Sequence, residues 1–206
     1  MIVRVDPIAV ALSLARALDA LGIVHTVGGS IASSIAGEPR STVDIDIVAA
    51  LRESDVPALQ SALSADYYVD EEALRRAVRE RSSVNLIHQA TQLKVDMFVA
   101  GGTPLDEQQL LRRRAVEIAP GRTLHVHPPE DILLQKLRWY RKGGGTSDRQ
   151  WRDILGIIRV QAQHLDRDYL QANAPVLGVA DLLARALGDA AGRMSSPSSG
   201  SVEPPS

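Results

Sequence analysis

Apolar residues near the start of the chain recur at helical spacing. Asp6 and Pro7 read as an N-cap followed by proline at the first helical position, and Ile8, Leu12, Leu14, Ala15, Leu18 and Leu21 follow on one face until Gly22. The apolar run over 23–27 is too short for a second helix and stops at Gly28-Gly29, which predicts a buried strand entering a tight turn, with a short helix from Ser30. After a loop over 39–42, Val43, Ile45 and Ile47 alternate with Asp44 and Asp46, the pattern of a strand with one polar face.

The same reading predicts helices over 54–63 and 71–79 around a short strand at 67–69. Strands over 84–88 and 93–99 should pair across the polar stretch 89–92, followed by a helix over 105–113. A small hairpin, 116–118 with 124–126, should turn at Pro120-Gly121. From Pro128-Pro129 onward the pattern is helical only: 130–141, 149–163, 166–173 and 179–190, with a Gly143-Gly144-Gly145 hinge after the first. The expected organisation is an α+β core over 1–127, a helical C-terminal part over 128–191, and a disordered Ser/Pro/Gly tail over 192–206. No internal repeat is present.

A chain of 206 residues with 45% hydrophobic and 23% charged residues can bury one sufficient core, but hardly two enzymatic domains. Only 3% is aromatic, so aliphatic side chains must build that core. The absence of cysteine excludes a disulfide framework, a thiolate nucleophile and a zinc-thiolate site, which leaves carboxylates, hydroxyls and histidines for chemistry. A formal charge of -2 argues against coating nucleic acid by bulk electrostatics, though it leaves room for a local basic groove. The N-terminus lacks the pattern of a signal peptide, and Asp6, Arg16 and Asp19 interrupt any membrane-spanning reading, so a cytoplasmic protein without a membrane partner is expected.

Side chains two apart on a strand share a face, so Asp44 and Asp46 project together, as do Lys94, Asp96 and Phe98 on the later strand. If the two strands are neighbours, three carboxylates converge, and each pair about 5 Å apart repels by roughly 3 kcal/mol at an effective dielectric of 20. A divalent cation relieves this, and an all-oxygen donor set suits Mg2+ or Mn2+ better than zinc. Gly28-Gly29-Ser30 supplies the complementary part: glycines permit close approach of backbone to an anion, and a helix N-terminus directs N–H groups at it. Taken singly, the turn also reads as a serine-capped strand-to-helix junction, and the acidic alternation as a solvated strand face.

In order, VGGSIASSIAGEPRSTVDIDIV resembles the signature of the DNA polymerase β nucleotidyltransferase superfamily: strand, Gly-Ser turn, helix, and a strand bearing D-x-D. The third acid, in KVDMFV, stands where that family places it. Arg40, Thr42, Asp44 and Asp46 form R-x-T-x-D-x-D, similar to minimal stand-alone nucleotidyltransferases related to AbiEii-type toxins. The resemblance extends through HPPEDILLQKLRWYRKGGGTSDRQWRDILGII, where Lys136 and Asp153 match a helical lysine and a downstream D-[IL].

This resemblance implies a mixed sheet flanked by helices and transfer of a nucleoside monophosphate from an NTP to a hydroxyl acceptor. The acceptor would be an RNA 3′ end or a protein side chain, or a small molecule as in antibiotic-modifying relatives, and a cognate antitoxin is an implied partner. It implies that Asp44 and Asp46 bind the metal, that Asp96 completes a site and helps deprotonate the acceptor, and that Gly28, Gly29, Ser30, Arg40 and Thr42 contact substrate. Lys136 is either a triphosphate ligand or a solvated helix lysine. Asp153 either orients a basic partner or nucleotide hydroxyl, or pairs at the surface with Arg149 or Arg152. Trp139 and Tyr140, with Arg138, Arg141 and Lys142, form a basic and aromatic cluster able to hold RNA, or a buried Trp139 beside solvated cations. His125 and His127 are spaced to share a face but are too few for a metal site. The rival in a different class is a non-catalytic nucleotide- or partner-binding module on the same fold.

Overall fold

A computed structural model describes residues 6–39 and 43–194 and divides into two compact units after Ile132. Arg40 and Thr42 lie outside the described residues. So does the expected tail from residue 195 on; its first three residues belong to a helix.

In the first unit, α1 (Pro7–Ala20) begins as its sequence requires, with the Asp6 carboxylate accepting the Ile8 N–H at 3.0 Å. Its stripe of Val10, Leu12, Leu14, Ala15 and Leu18 is buried. The wholly buried β1 (His25–Val27) leads directly into α2 (Gly29–Ala36). β2 (Ile45–Ala49) is followed by a single 3-10 turn and α3 (Val56–Leu63), then β3 (Tyr67–Tyr68) and α4 (Glu71–Glu80). β4 (Ser83–His88) and β5 (Lys94–Val99) form the expected pair, α5 (Pro104–Leu111) follows, and β6 (Arg114–Ala119) and β7 (Arg122–Val126) form the hairpin predicted around Pro120-Gly121.

These strands form a seven-stranded mixed sheet in the order β3-β4-β5-β2-β1-β7-β6. Two neighbouring pairs are parallel, β2 with β5 and β1 with β7; the others are antiparallel. Ile45, Ile47 and Ala49 of β2 and Val95, Met97 and Val99 of β5 enter one continuous aliphatic core with the buried face of α1. The intervening Asp46 and Asp96 are left together on the opposite face because the strands pair in register.

At the end of this unit, α6 (Pro129–Lys142) begins with two buried carboxylates. Arg112, the C-cap of α5, reaches both: Nε lies 3.0 Å from Asp131 Oδ2, and an NH2 group lies 3.4 Å from Glu130 Oε2. Acids in the first turn also suit the partial positive charge of a helix N-terminus.

The second unit contains the rest of α6, α7 (Asp148–Gln161), α8 (Arg167–Asn173) and α9 (Ala180–Met194). Its core includes Leu133, Leu137, Ile154, Ile157, Leu170, Leu183 and Ala186. Two expectations are corrected here. The triglycine segment is the C-terminal cap of α6 rather than a hinge. The Gly145 N–H bonds to Tyr140 O at 2.9 Å and the Gly144 N–H to Arg141 O at 3.1 Å, while Gly144 takes φ +78°, a Schellman arrangement that favours glycine. Trp139 is half-exposed rather than buried, with the Lys142 ammonium 4.9 Å above its ring. Its neighbours Tyr140 and Trp151 instead stack inside the unit, and the Trp151 indole donates to Asp189 at 3.1 Å.

Candidate active site

The site grows from one register. Asp46 of β2 and Asp96 of β5 are direct partners across parallel neighbours, so their α-carbons stand about 4.8 Å apart and their side chains emerge side by side. Asp44 lies two residues before Asp46, just outside β2, and is exposed. Lys94, two residues before Asp96, places its Nζ 2.9 Å from Asp96 Oδ2. Its pKa is raised, first by that hydrogen bond and further by the charges of Asp96, Asp44 and Asp46. Asp44, Asp46 and Asp96 all favour the Lys94 ammonium, and Asp96 bonds to it directly.

β1 brings the glycine turn to the same place because it is the other neighbour of β2. Val27 pairs with Ile47, and the Gly28 N–H continues the ladder by donating to Asp46 O at 2.9 Å. Gly29 opens α2 at φ +52° and is packed beneath the Asp46 side chain: a Cβ there would fall on the carboxylate, 2.5 Å from its Cγ and 2.9 Å from its Cβ. Gly28 is less constrained, since its imagined Cβ meets Asp46 Cβ only at 4.0 Å. Ser30 is the second residue of α2, and Ser33, one turn on, donates its hydroxyl to Gly29 O at 2.9 Å. The arrangement therefore places amides at the start of a helix beside paired carboxylates.

The donor chemistry fits a hard divalent cation. The grouped side chains offer only carboxylate oxygens, and the field they produce already stabilises the Lys94 ammonium. Lys94 was legible in the sequence only as a residue on the face of Asp96; its ion pair with that acid emerges from the structure.

Lys136 and Asp153 belong to the second unit. They bond to each other, Nζ to Oδ2 at 2.9 Å, with side chains only 12% and 11% exposed. Asp153 thus orients a basic partner, with α6 and α7 facing each other at these positions, and Lys136 is not a solvated helix lysine. Arg141, in the basic cluster, pairs with Asp181.

The fold defined by this sheet and its helices is that of nucleotidyltransferases. It is similar to an antigenic nucleotidyltransferase-like protein from Paracoccidioides brasiliensis over 88% of this chain and 92% of the other, with TM-score 0.54 and 19% identity. ANT(2'')-Ia in complex with adenylyl-2''-tobramycin is similar over 82% of this chain and 95% of its own, with TM-score 0.55 and 12% identity. The solution structure of the same antibiotic-resistance factor matches over 91% and 97%, with TM-score 0.51 and 12% identity. No family model and no curated protein sequence matches the chain. No helix among the described residues is long and apolar enough to cross a membrane.

Proposed function

We propose that this protein is a metal-dependent nucleotidyltransferase that moves a nucleoside monophosphate from an NTP to a hydroxyl acceptor and releases pyrophosphate. The observation that carries this reading is the register of Asp46 on Asp96 beside a glycine turn whose first amide is bonded to Asp46 O. Asp46 and Asp96 are thereby held on paired strands rather than on loops, beside the amides that open α2.

In this reading Asp44, Asp46 and Asp96 hold Mg2+ or Mn2+, which when bound neutralises phosphate charge and acts as a Lewis acid on the α-phosphate. The amides of Gly29 and Ser30 bind the triphosphate at the start of α2, while Gly28, whose own N–H is held by Asp46 O, lets the backbone come close to it. Asp96 takes the proton of the acceptor hydroxyl as its oxygen bonds to the α-phosphorus, and the bond from that phosphorus to the bridging oxygen breaks to release pyrophosphate. Lys136 is assigned to the triphosphate and Asp153 to its orientation, on the resemblance of their helix motif. Arg40 and Thr42 are assigned to the nucleotide on the same ground.

The hydroxyl acceptor is assigned to an RNA 3′ end or a protein side chain, with a role as a toxin held by an antitoxin, from the R-x-T-x-D-x-D resemblance. The ANT(2'')-Ia complex, by its own description, contains an adenylylated aminoglycoside, and this makes an aminoglycoside the third acceptor to be offered. The decisive assay uses NTPs labelled at the α-phosphate with Mg2+ and, in turn, total RNA, cell protein and tobramycin, beside Asp44→Asn/Asp46→Asn. Label moved only by the intact chain supports the reading and names the acceptor class. NTP binding indifferent to Mg2+, with no transfer to any acceptor, would replace it with the binding module.

A further inference from the structure

A second group of metal-ligating side chains lies in the first unit and takes no part in the site above. Asp19 stands near the end of α1, His25 begins β1, and His125 lies on β7 next to Val126, the partner of Val27. One ligand atom from each of the three lies within 4.8 Å of the others. The two imidazoles meet edge to face at 5.7 Å, and Asp19 Oδ1 is 3.7 Å from His25 Nδ1.

His25 supplies an independent observation. Its side chain is 1% exposed, and its Nδ1 lies 3.1 Å from Ile23 O. A carbonyl only accepts, so Nδ1 carries the hydrogen and Nε2 carries the lone pair. That Nε2 is buried and has no hydrogen-bond partner among the described residues. Buried polar atoms are almost always satisfied, so a bare ring nitrogen on a residue grouped with a second histidine and an aspartate calls for an explanation. Histidines that bind metals characteristically donate their other ring N–H to a backbone carbonyl, which fixes the ring and the tautomer. Burial also lowers the pKa of His25, which favours the neutral form that ligates.

We propose that Asp19, His25 and His125 form a binding site for a zinc-type transition-metal ion, with solvent as the fourth ligand. Two imidazoles and one carboxylate are a donor set for zinc rather than for magnesium or calcium. Bonds of about 2.0–2.1 Å in a tetrahedron put ligand atoms about 3.3 Å apart, so the group must contract on binding. Asp19, which now lies at the Nδ1 edge of the ring, must turn toward Nε2 to join the ion, and it can do so because its side chain is 57% exposed while His25 is fixed in the core. Arg113, whose charge reaches His25, opposes the ion and sets the affinity below that of a closed four-ligand site. The ion would tie the end of α1 to β1 and β7. Gly28 follows the end of β1, three residues after His25 and roughly 10 Å away, so the site braces the strand that delivers the glycine turn. The proposal does not depend on nucleotidyl transfer.

The test uses the full chain stripped with a chelator, titrated with Co2+ while its visible ligand-field absorption is followed, and with Zn2+ against a chromogenic chelator. His125→Ala and Asp19→Asn change partly or fully exposed side chains, and circular dichroism checks that both remain folded. Asp44→Asn/Asp46→Asn separates this site from the carboxylate site. The expected result is one tetrahedral Co2+ per chain in the wild type and in Asp44→Asn/Asp46→Asn, with binding weakened about tenfold or more in His125→Ala and Asp19→Asn. No binding by the wild type, wild-type affinity in His125→Ala, or loss confined to Asp44→Asn/Asp46→Asn would overturn the assignment.

Discussion

The Asp46 carboxylate occupies the space that a side chain on Gly29 would need. Strand β2 and the start of α2 are therefore fitted to each other at one atom, and the glycine is required twice, by its φ of +52° and by the acid above it. The acid can be held close to the amides that open α2 only because nothing projects from Gly29.

Gly29→Ala should accordingly displace Asp46 and lower kcat by about 100-fold, the order expected when a reacting group moves by an ångström. Gly28→Ala, at φ -115° with its nearest non-local atom at 4.0 Å, should retain most activity. Rates of label transfer for the two variants, with folding checked by circular dichroism, decide the matter; equal effects would contradict the packing argument.

Lys94 competes with any other cation for Asp96. Because it is half-exposed, its pair is worth at most about 1 kcal/mol, or roughly fivefold in a binding constant. Lys94→Met should lower the Mg2+ concentration for half-maximal activity by up to about fivefold, measured by metal titration at saturating NTP. A large rise instead would show that the ammonium serves substrate binding.

Arg112 is the cation between the buried Glu130 and Asp131. Removing one partner of a buried pair costs about 3–5 kcal/mol. Arg112→Ala should show that loss in urea unfolding, and Arg112→Lys should recover only part of it, since Nε and NH2 address different carboxylates.

The Lys136–Asp153 pair permits stability and function to be separated. Lys136→Met or Asp153→Leu alone should destabilise by about 3–5 kcal/mol, while the double variant should return close to wild type because an apolar pair of similar volume replaces a buried ion pair. If the folded double variant also has an unchanged KM for NTP, Lys136 serves the fold and not the triphosphate.

His127 is buried, donates Nδ1 to Gln109 O at 3.2 Å, and has a pKa lowered chiefly by desolvation, against the opposing charge of Asp131. In the unfolded chain histidine titrates near pH 6.5, so there the unfolded state binds the proton more readily. The sign follows: stability is full above about pH 6.5 and falls as the pH drops through that value. Urea midpoints between pH 7.5 and 5.5 should decline in the wild type and decline less in His127→Gln. His25, lowered in the same direction, contributes a slope of the same sign.

Much of this architecture was written locally in the chain. Asp6-Pro7, Pro120-Gly121 and the alternation around Asp44 and Asp46 each act within a few residues, so they announced α1, the β6–β7 hairpin and the polar face of β2 directly. What periodicity does not encode is which elements become neighbours. The parallel union of β1 with β7, the partnership of Lys136 with Asp153, and the meeting of His25 with His125 all join distant residues through packing alone. The triglycine cap was visible as glycine but not as a Schellman turn, because its function depends on where α6 stops. The resemblance bridged one of these gaps by placing Asp96 beside Asp46, a pairing that spacing could state only conditionally.

The register of Asp46 on Asp96 also has a kinetic meaning. β4 and β5 form a local hairpin, but β5 meets β2 only by closing a loop from residue 46 to residue 96. Loop closure of that length precedes the contacts that reward it and slows folding. A chain emerging from the ribosome would thus expose Asp44 and Asp46 well before Asp96 joined them. Any chain that stops short of residue 96 therefore lacks the acidic pair, which exists only once β5 lies on β2.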